Sequence, residues 1–195
     1  MSTVRLPGPE RREQLLRVAR AEMAKRGFHE TSMNDIAEAA GVTKPVVYQH
    51  FASKTELYDA VLEDIAVRLQ AAVFDSTTRA TSGREMVALG FRAYLAFVRD
   101  DYEGFSLLFS RSGSEPSGAS EIARAMERSV AQQIAALITV DGIDDTHRLN
   151  LAHGVVGMAE GMVRYWRSHR DEVDPDELAD DIATLAWVGL RGLQA

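Results

Sequence analysis

One short stretch near the N-terminus, TKPVVYQHFASK from Thr43 to Lys54, places three side-chain hydrogen-bond donors within seven residues. Tyr48, His50 and Lys54 can all donate to the phosphate oxygens of a nucleic-acid backbone. Catalysis could use the same groups, but the chain carries no nucleophile elbow, phosphate-binding glycine loop or metal-ligand motif. The stretch therefore favours contact with a phosphate backbone over a reaction centre.

Helix-start and helix-stop signals divide the first third of the chain into four helices. Apolar residues recur at helical spacing in the first, over residues 10–26. The second and third are short and are separated by a glycine turn, and the fourth is long. The signals that mark these boundaries are the stops Gly27 and Gly41, the cap Thr43, and the capping boxes of Ser32 with Asp35 and of Ser53 with Glu56.

Two short helices joined by a glycine turn predict a helix-turn-helix arrangement, whose second helix enters the DNA major groove. Val42, Val47 and Phe51 would face the core of the three-helix unit. Lys54 would stand at the N-terminal end of the fourth helix, where the helix dipole already favours an anion. The outward face would carry Thr43, Lys44, Pro45, Val46, Tyr48, Gln49 and His50.

Composition and charge limit the class of protein. The chain has 195 residues, 46% of them hydrophobic, and no cysteine, which excludes a disulfide framework and a thiolate metal site. Residues 1–55 carry nine Lys or Arg and six Asp or Glu, a net charge of +3, whereas the remainder carries 13 and 23, a net charge of −10. This asymmetry indicates that only the N-terminal part meets a polyanion.

No apolar run suits a signal peptide or a membrane span, so we expect a cytoplasmic protein with no membrane partner.

The segment TSMNDIAEAAGVTKPVVYQHFASKTELYDAV closely resembles the DNA-binding segment of the TetR (tetracycline repressor) family of transcription regulators. The matching features include the glycine turn, the tyrosine and the histidine of the short helix, and the Ser-Lys pair that follows. Beyond about Arg68 the resemblance is one of architecture only. One position departs from the family pattern, because Met33 stands where a second hydroxyl residue is often found. That phosphate contact is therefore in doubt, and Met33 would pack in the core instead.

The resemblance implies a place on DNA for each residue of this region. Some would contact phosphates or support them from helix ends, and others would meet base edges. The phosphate set is Tyr48, His50 and Lys54 with Ser32 and Thr43 as helix-end partners, and the base-edge set is Lys44, Pro45, Val46 and Gln49 with Asn34 from the second helix. From the residues alone, Tyr48 could instead close the small core, His50 could be a solvated histidine, and Lys44 could be a further phosphate anchor.

Beyond residue 75 the pattern stays helical, with no strand signal and no internal repeat. We predict an all-α protein of nine helices: a three-helix helix-turn-helix DNA-binding domain over residues 1–55 and a helical effector-binding and dimerisation domain over residues 56–195. The turn formers in SRSGSEPSG, Ser110 to Gly118, predict a mobile loop. The five later helices are predicted near Arg84 to Arg99, Asp101 to Phe109, Glu121 to Ile138, Thr146 to His169 and Pro175 to Leu193.

The body of a TetR-like protein is expected to bind a small molecule, and aromatic and methionine residues crowd the predicted helices there. Such stripes at helical spacing are also typical of an ordinary core, and that alternative stays open. The candidate effector-binding residues are Tyr94, Phe97, Tyr102, Phe105, Phe109, Met126, Met158 and Met162.

The last two helices are candidates for a dimer interface. Apolar positions of LAHGVVGMAEGMVRYW span more than half of the helix circumference, which indicates burial on two sides. Its glycines cost about 1 kcal/mol each against alanine, a cost that close approach of another helix would explain. An intramolecular hairpin is the alternative to a four-helix dimer interface. The candidate interface residues are Val156, Ala159, Val163, Trp166, Leu185, Trp187 and Val188.

The sequence thus predicts a transcription regulator, by default a repressor, that binds a pseudo-palindromic double-stranded DNA operator as a homodimer. A small, largely apolar effector would release it. We assign no catalytic residue, metal site or cofactor, and the protein is not expected to be an enzyme. The alternatives are a helical small-molecule carrier or an enzyme without DNA binding, but neither explains the clustered donors.

Overall fold

The computed structural model describes residues 6–109, 117–139 and 142–192, and every regular element within these ranges is an α-helix. The predicted all-α class is therefore confirmed, and helix boundaries lie within a few residues of those expected. The helices are α1 (Gly8–Arg26), α2 (Met33–Ala39), α3 (Lys44–Tyr48), α4 (Lys54–Thr77), α5 (Gly83–Asp100), α6 (Tyr102–Phe109), α7 (Ser117–Leu137), α8 (Asp145–Ser168) and α9 (Pro175–Gly192).

The described residues form two compact units. Unit 1 falls within residues 1–66 and 102–123, and unit 2 within residues 67–101 and 124–195. The boundary crosses α4 and α7, each of which starts in unit 1 and ends in unit 2. The predicted division into residues 1–55 and 56–195 concerns DNA binding and effector binding, and it stays a prediction.

Unit 1 contains the three N-terminal helices, the first part of α4, α6 and the first part of α7. Its apolar side chains are buried at the positions that helical spacing predicted: Leu15, Ala19 and Met23 of α1 are fully buried. Helix α1 packs against both α2 and α6. Met33 is buried as well, as expected from its departure from the family pattern. This packing fixes α2 and α3 relative to α1.

Unit 2 is built mainly on the pairing of α5 with α9, and α8 contacts both helices. An added Cβ at Gly83 would lie 2.9 Å from the Trp187 ring, and Arg92 donates to Asp180 through two hydrogen bonds of 2.6 Å. Gly83 precedes Arg92 on α5, whereas its partner Trp187 follows Asp180 on α9. The two helices are therefore antiparallel. Gly83 therefore provides the space in which Trp187 packs.

The predicted loop from Ser110 to Gly118 falls mostly outside the described residues, which omit 110–116. Ser117 and Gly118 belong to α7, so this helix begins earlier than the predicted start at Glu121. The prediction of a loop is therefore wrong for these two residues, and for residues 110–116 it lies outside the described residues.

Candidate nucleic-acid interface

The predicted capping box at the start of α2 is present. The Ser32 hydroxyl accepts from the Asp35 amide at 3.2 Å, and the Asp35 carboxylate accepts from the Ser32 amide at 2.8 Å and from its hydroxyl at 2.6 Å. These hydrogen bonds from Ser32 lower the pKa of Asp35, with Arg26 adding a smaller effect in the same direction. The Ser32 hydroxyl thus makes two hydrogen bonds to Asp35, so its role within the chain is to cap the N-terminus of α2.

The turn between α2 and α3 depends on Gly41. Its φ of 66° lies in the left-handed region, where a side chain would be strained. The Gly41 amide donates to the Glu38 carbonyl at 3.0 Å, and the Val42 amide donates to the Ala37 carbonyl at 2.9 Å. These bonds satisfy the last carbonyls of α2 and turn the chain sharply into α3.

Thr43 precedes α3 in extended conformation, but its side chain does not cap the helix. The prediction of a capping threonine was wrong in this respect. Pro45 has no amide to donate, and the amide of Val46 donates at 2.9 Å to the Thr43 backbone carbonyl. The Thr43 side chain is exposed and makes no cap hydrogen bond, and its predicted contact with DNA stays a prediction.

Apolar and polar side chains of α3 and of the residues that flank it lie on separate sides, as predicted. Val47 and Phe51 are buried in unit 1, and the Arg12 guanidinium lies 4.9 Å from the centroid of the Phe51 ring. Val42 is partly buried beside them. Opposite them, Lys44, Pro45, Gln49 and the 45%-exposed Tyr48 are exposed, Val46 and His50 are partly buried, and Asn34 is exposed on α2. The core face therefore holds α3 while its polar face is presented to solvent.

Lys54 makes contacts that the sequence did not predict. Its ammonium donates to the backbone carbonyls of Phe28 at 2.9 Å and His29 at 3.3 Å, and it lies 4.4 Å from the Phe28 ring centroid. Lys54 thus ties the start of α4 to the connection between α1 and α2. An ammonium carries three protons, so one donor remains for a phosphate.

The capping box predicted at the start of α4 is formed in part, because the Glu56 carboxylate bonds to the residue before Ser53. The Glu56 amide donates to the Ser53 hydroxyl at 3.0 Å as expected, but the Glu56 carboxylate accepts from the Ala52 amide at 2.7 Å.

Thr31 is a further structural residue of this region that the sequence did not predict. It is fully buried, and its hydroxyl donates to the Gly27 carbonyl at 2.8 Å. A hydroxyl residue shortly after a glycine helix stop was the signal that could have identified it.

Replacing Lys54 with alanine should weaken binding to all DNA sites alike and lower the slope of log affinity against log salt by about one unit per protomer. Loss of the two hydrogen bonds to carbonyls should also reduce stability by about 1 to 2 kcal/mol. Fluorescence anisotropy over a salt series and urea unfolding measure the two effects. Lys25→Ala, an exposed lysine in the last turn of α1, is the matched control. A changed base preference at an unchanged salt slope would contradict the phosphate assignment.

The predicted effector-binding residues divide between the two units. Tyr102 is partly buried and Phe105 is buried in unit 1, whereas the side chain of Phe109 lies outside the described residues. In unit 2, Tyr94, Phe97 and Met158 are partly buried, and Met126 and Met162 are buried. Burial raises the pKa of the Tyr94 hydroxyl, and the charges of Glu160 and Glu127 raise it further. That hydroxyl therefore stays protonated and can act as a donor.

The predicted dimer residues fall into three groups by burial. Val163 and Trp166 are buried within the single chain and offer little surface to a second copy, so their place in the interface stays a prediction. Val156, Ala159 and Trp187 are partly buried. Leu185 and Val188 of α9 are 62% and 63% exposed. Only α9 therefore presents large apolar side chains from the predicted set.

An open pocket of about 520 Å³ lies in unit 2 where α7 ends and α8 begins. It contains none of the predicted effector-binding residues, and no sequence signal marked it. Its lining residues are Gln132, Ala135, Ala136, Ile138, Thr139, Asp145, Arg148 and Leu149.

Residues 15–61, which include the helix-turn-helix, match the sequence model of the tetR family of bacterial regulatory proteins. Over most of its length the chain is also similar to the transcriptional activator FasR of Mycolicibacterium smegmatis, with 35% identity over 188 residues, 95% of this chain and 85% of FasR. The chain belongs to the tetR family. A further relative, the transcriptional repressor KstR2 of Mycobacterium tuberculosis, is 46% identical over 52 residues, 27% of this chain and 26% of KstR2.

Solved structures share the fold of this TetR-family protein. A tetR-family regulator from Streptomyces coelicolor has a TM-score of 0.77 at 23% identity, with coverage of 97% of this chain and 84% of that one. FadR of Bacillus subtilis, in complex with stearoyl-CoA, has a TM-score of 0.74 at 14% identity, with 89% and 96% coverage. AibR, in complex with isovaleryl coenzyme A and operator DNA, has a TM-score of 0.69 at 18% identity, with 90% and 97% coverage.

Family membership confirms the predicted DNA-binding transcription regulation and the helix-turn-helix followed by a helical domain. In the described ranges, no helix combines the length and apolar character needed to cross a bilayer. Nor does any group of three or more His, Cys, Asp or Glu side chains there have an arrangement suited to a metal ion.

Proposed function

We propose that the protein controls transcription in the cytoplasm as a homodimer, with one α3 helix in the major groove at each half of a pseudo-palindromic operator. The observation that carries this proposal is that α3 and the residues after it have a buried apolar side and an exposed polar side. Val47 and Phe51 are buried, while Lys44, Tyr48 and Gln49 are exposed together. A rigid helix with an exposed polar face is what major-groove recognition requires.

The proposed dimer forms through the exposed faces of α8 and α9. Added Cβ atoms at Gly154, Gly157 and Gly161 of α8 would meet no atom within 4 Å. The same holds for Gly189 of α9, which lies beside the exposed Leu185 and Val188. Packing within the chain therefore does not explain glycines that cost about 1 kcal/mol each in a helix. Close approach of the same helices from a second copy would explain them.

The proposed effector is a small acyl compound that binds in the body. Two proteins with this fold were solved with acyl-CoA ligands, FadR with stearoyl-CoA and AibR with isovaleryl coenzyme A. Tyr94, Phe97 and Met158 are large side chains of unit 2 that are only partly buried, as residues that line a ligand site would be. A hundredfold loss of DNA affinity on effector binding needs a coupling of only about 2.7 kcal/mol. The predicted repression stays a prediction, since FasR is an activator and KstR2 a repressor.

Replacing Lys44 with alanine should relax the preference at one base pair of each half-site. Lys44 is exposed at the first position of α3, with its ammonium 5.9 Å from the Tyr48 ring centroid. Lysine donates to the O6 and N7 atoms of guanine, and a good contact is worth about 1 to 3 kcal/mol of discrimination. Binding selections with wild type and variant measure the effect. If affinity falls uniformly and every base preference survives, Lys44 is instead a phosphate anchor.

Binding to fragments of the source genome tests the proposal against a carrier or an enzyme without DNA binding. Retention of particular fragments, with affinity that falls steeply as salt rises, is the expected result. Addition of stearoyl-CoA or isovaleryl coenzyme A to the retained complexes then tests the effector class. A protein that retains no fragment at low salt would contradict DNA binding, and complexes that neither acyl-CoA weakens would contradict the effector proposal alone.

A further inference from the structure

Trp166 of α8 carries a hydrogen-bond donor that the fold does not use. The side chain is only 5% exposed, and its indole nitrogen is buried without a hydrogen-bond partner among the described residues. Buried indole N–H groups usually find an acceptor, because an unpaired buried donor is costly. The sequence predicts Trp166 in the dimer interface, but the side chain is buried within the chain and leaves a second copy little surface to contact.

The position of Trp166 on α8 connects this donor with the candidate effector-binding residues. Met158, Met162 and Trp166 follow one another at four-residue spacing, so they share one face of the helix. Met162 is buried and Met158 is partly buried. Flexible methionine side chains adapt to apolar ligands. This face therefore offers an apolar stripe that ends in a single polar donor.

The charge around the indole favours an oxygen acceptor. Arg170 follows two residues after the end of α8, and its guanidinium lies 5.6 Å from the Trp166 ring centroid. A cation in this place stabilises a partial or full negative charge on a nearby oxygen. The indole itself can only donate, so it gives no hydrogen bond to an ammonium group.

We propose that the indole N–H of Trp166 donates to an acyl oxygen of the effector, while the acyl chain lies along Met162 and Met158. The acceptor is either the carbonyl oxygen of a thioester or a carboxylate oxygen of a free acid. This inference rests on the proposed function, since it assigns the polar contact of the same effector site. It makes Trp166 a residue that selects effectors by their head group.

The test compares wild type with Trp166→Phe, which keeps an aromatic ring and removes the donor. Trp187→Phe is the matched control, because Trp187 packs against Gly83 outside the proposed stripe. The probes share one chain length and differ in their head groups: dodecanoyl-CoA, dodecanoate and dodecylamine. Isothermal titration calorimetry of the full-length proteins should show that Trp166→Phe binds acyl probes about 10-fold more weakly, a loss of about 1.4 kcal/mol. Trp187→Phe should match wild type, and the acyl probe that binds more tightly identifies the source of the acyl oxygen.

A second measurement on wild type keeps the inference testable if Trp166→Phe folds poorly. In ¹⁵N-labelled protein, the Trp166 indole proton should move downfield with the acyl probe and stay in place with dodecylamine. Equal acyl affinity of wild type and Trp166→Phe, or an unmoved indole signal at saturation, would overturn this inference and leave the proposed function intact. Absence of all acyl binding by wild type that still binds DNA would overturn both the effector proposal and the inference.

Discussion

The double substitution Leu185→Asp/Val188→Asp should convert the protein to a monomer at micromolar concentration and lower operator affinity at least about 100-fold. Both side chains are more than 60% exposed on α9, so the substitutions should leave the fold of the chain intact. In a dimer, once one helix-turn-helix is bound, that of the second subunit binds its half-site at a high effective concentration. This commonly adds two or more orders of magnitude to affinity. Four carboxylates in an apolar interface would remove that gain.

The matched control is Val67→Asp/Phe74→Asp. Val67 and Phe74 lie on α4 and are 63% and 59% exposed, so this variant adds the same charge at equally exposed apolar positions. Analytical ultracentrifugation and operator titration should give a wild-type dimer for the control and a weakly binding monomer for the α9 variant. A dimeric α9 variant, or a monomeric wild type at the same concentration, would contradict the proposed interface.

A second pair of substitutions should distinguish the exposed side of α3 from the buried core beside it. Phe51→Ala should lower the free energy of unfolding by about 3 to 5 kcal/mol, because it leaves a cavity in the core of unit 1. Tyr48→Phe should leave that free energy within about 0.5 kcal/mol, since Tyr48 is 45% exposed and loses only its hydroxyl. Its operator affinity should nevertheless fall about 10- to 100-fold per dimer, through two lost hydrogen bonds to phosphates.

Urea unfolding and operator binding of both variants check this expectation. The result that supports the account is a stable Tyr48→Phe variant with weak DNA binding beside an unstable Phe51→Ala variant. If Tyr48→Phe instead binds DNA as wild type does, its hydroxyl makes no phosphate contact. If it unfolds as readily as Phe51→Ala, Tyr48 belongs to the core.

Local signals in the sequence were sufficient to predict the helix-turn-helix. The Ser32–Asp35 capping box, the left-handed Gly41 and the spacing of Val47 and Phe51 each act within a few residues. Local rules also explain one failure, because Pro45 removes an amide that the Thr43 side chain could have capped.

Contacts between residues far apart in sequence were the ones that could not be predicted. Lys54 donates to carbonyls of residues 28 and 29, a pairing that depends on how α1 and α4 approach each other. On α8, apolar residues cover more than half of the circumference, so periodicity could not separate the side buried in the chain from the side open to a partner. Trp166 was therefore assigned to the interface although it is buried within the chain.

Selection of bound sequences from random double-stranded DNA tests the central claim, DNA recognition by a dimer through α3, most directly. The account predicts enrichment of a pseudo-palindrome whose half-site centres lie about 10 base pairs, or a multiple of that, apart. The α9 double variant should enrich no such pair of half-sites from the same library. Wild-type protein that enriches no sequence, or only an unpaired asymmetric one, would contradict the account.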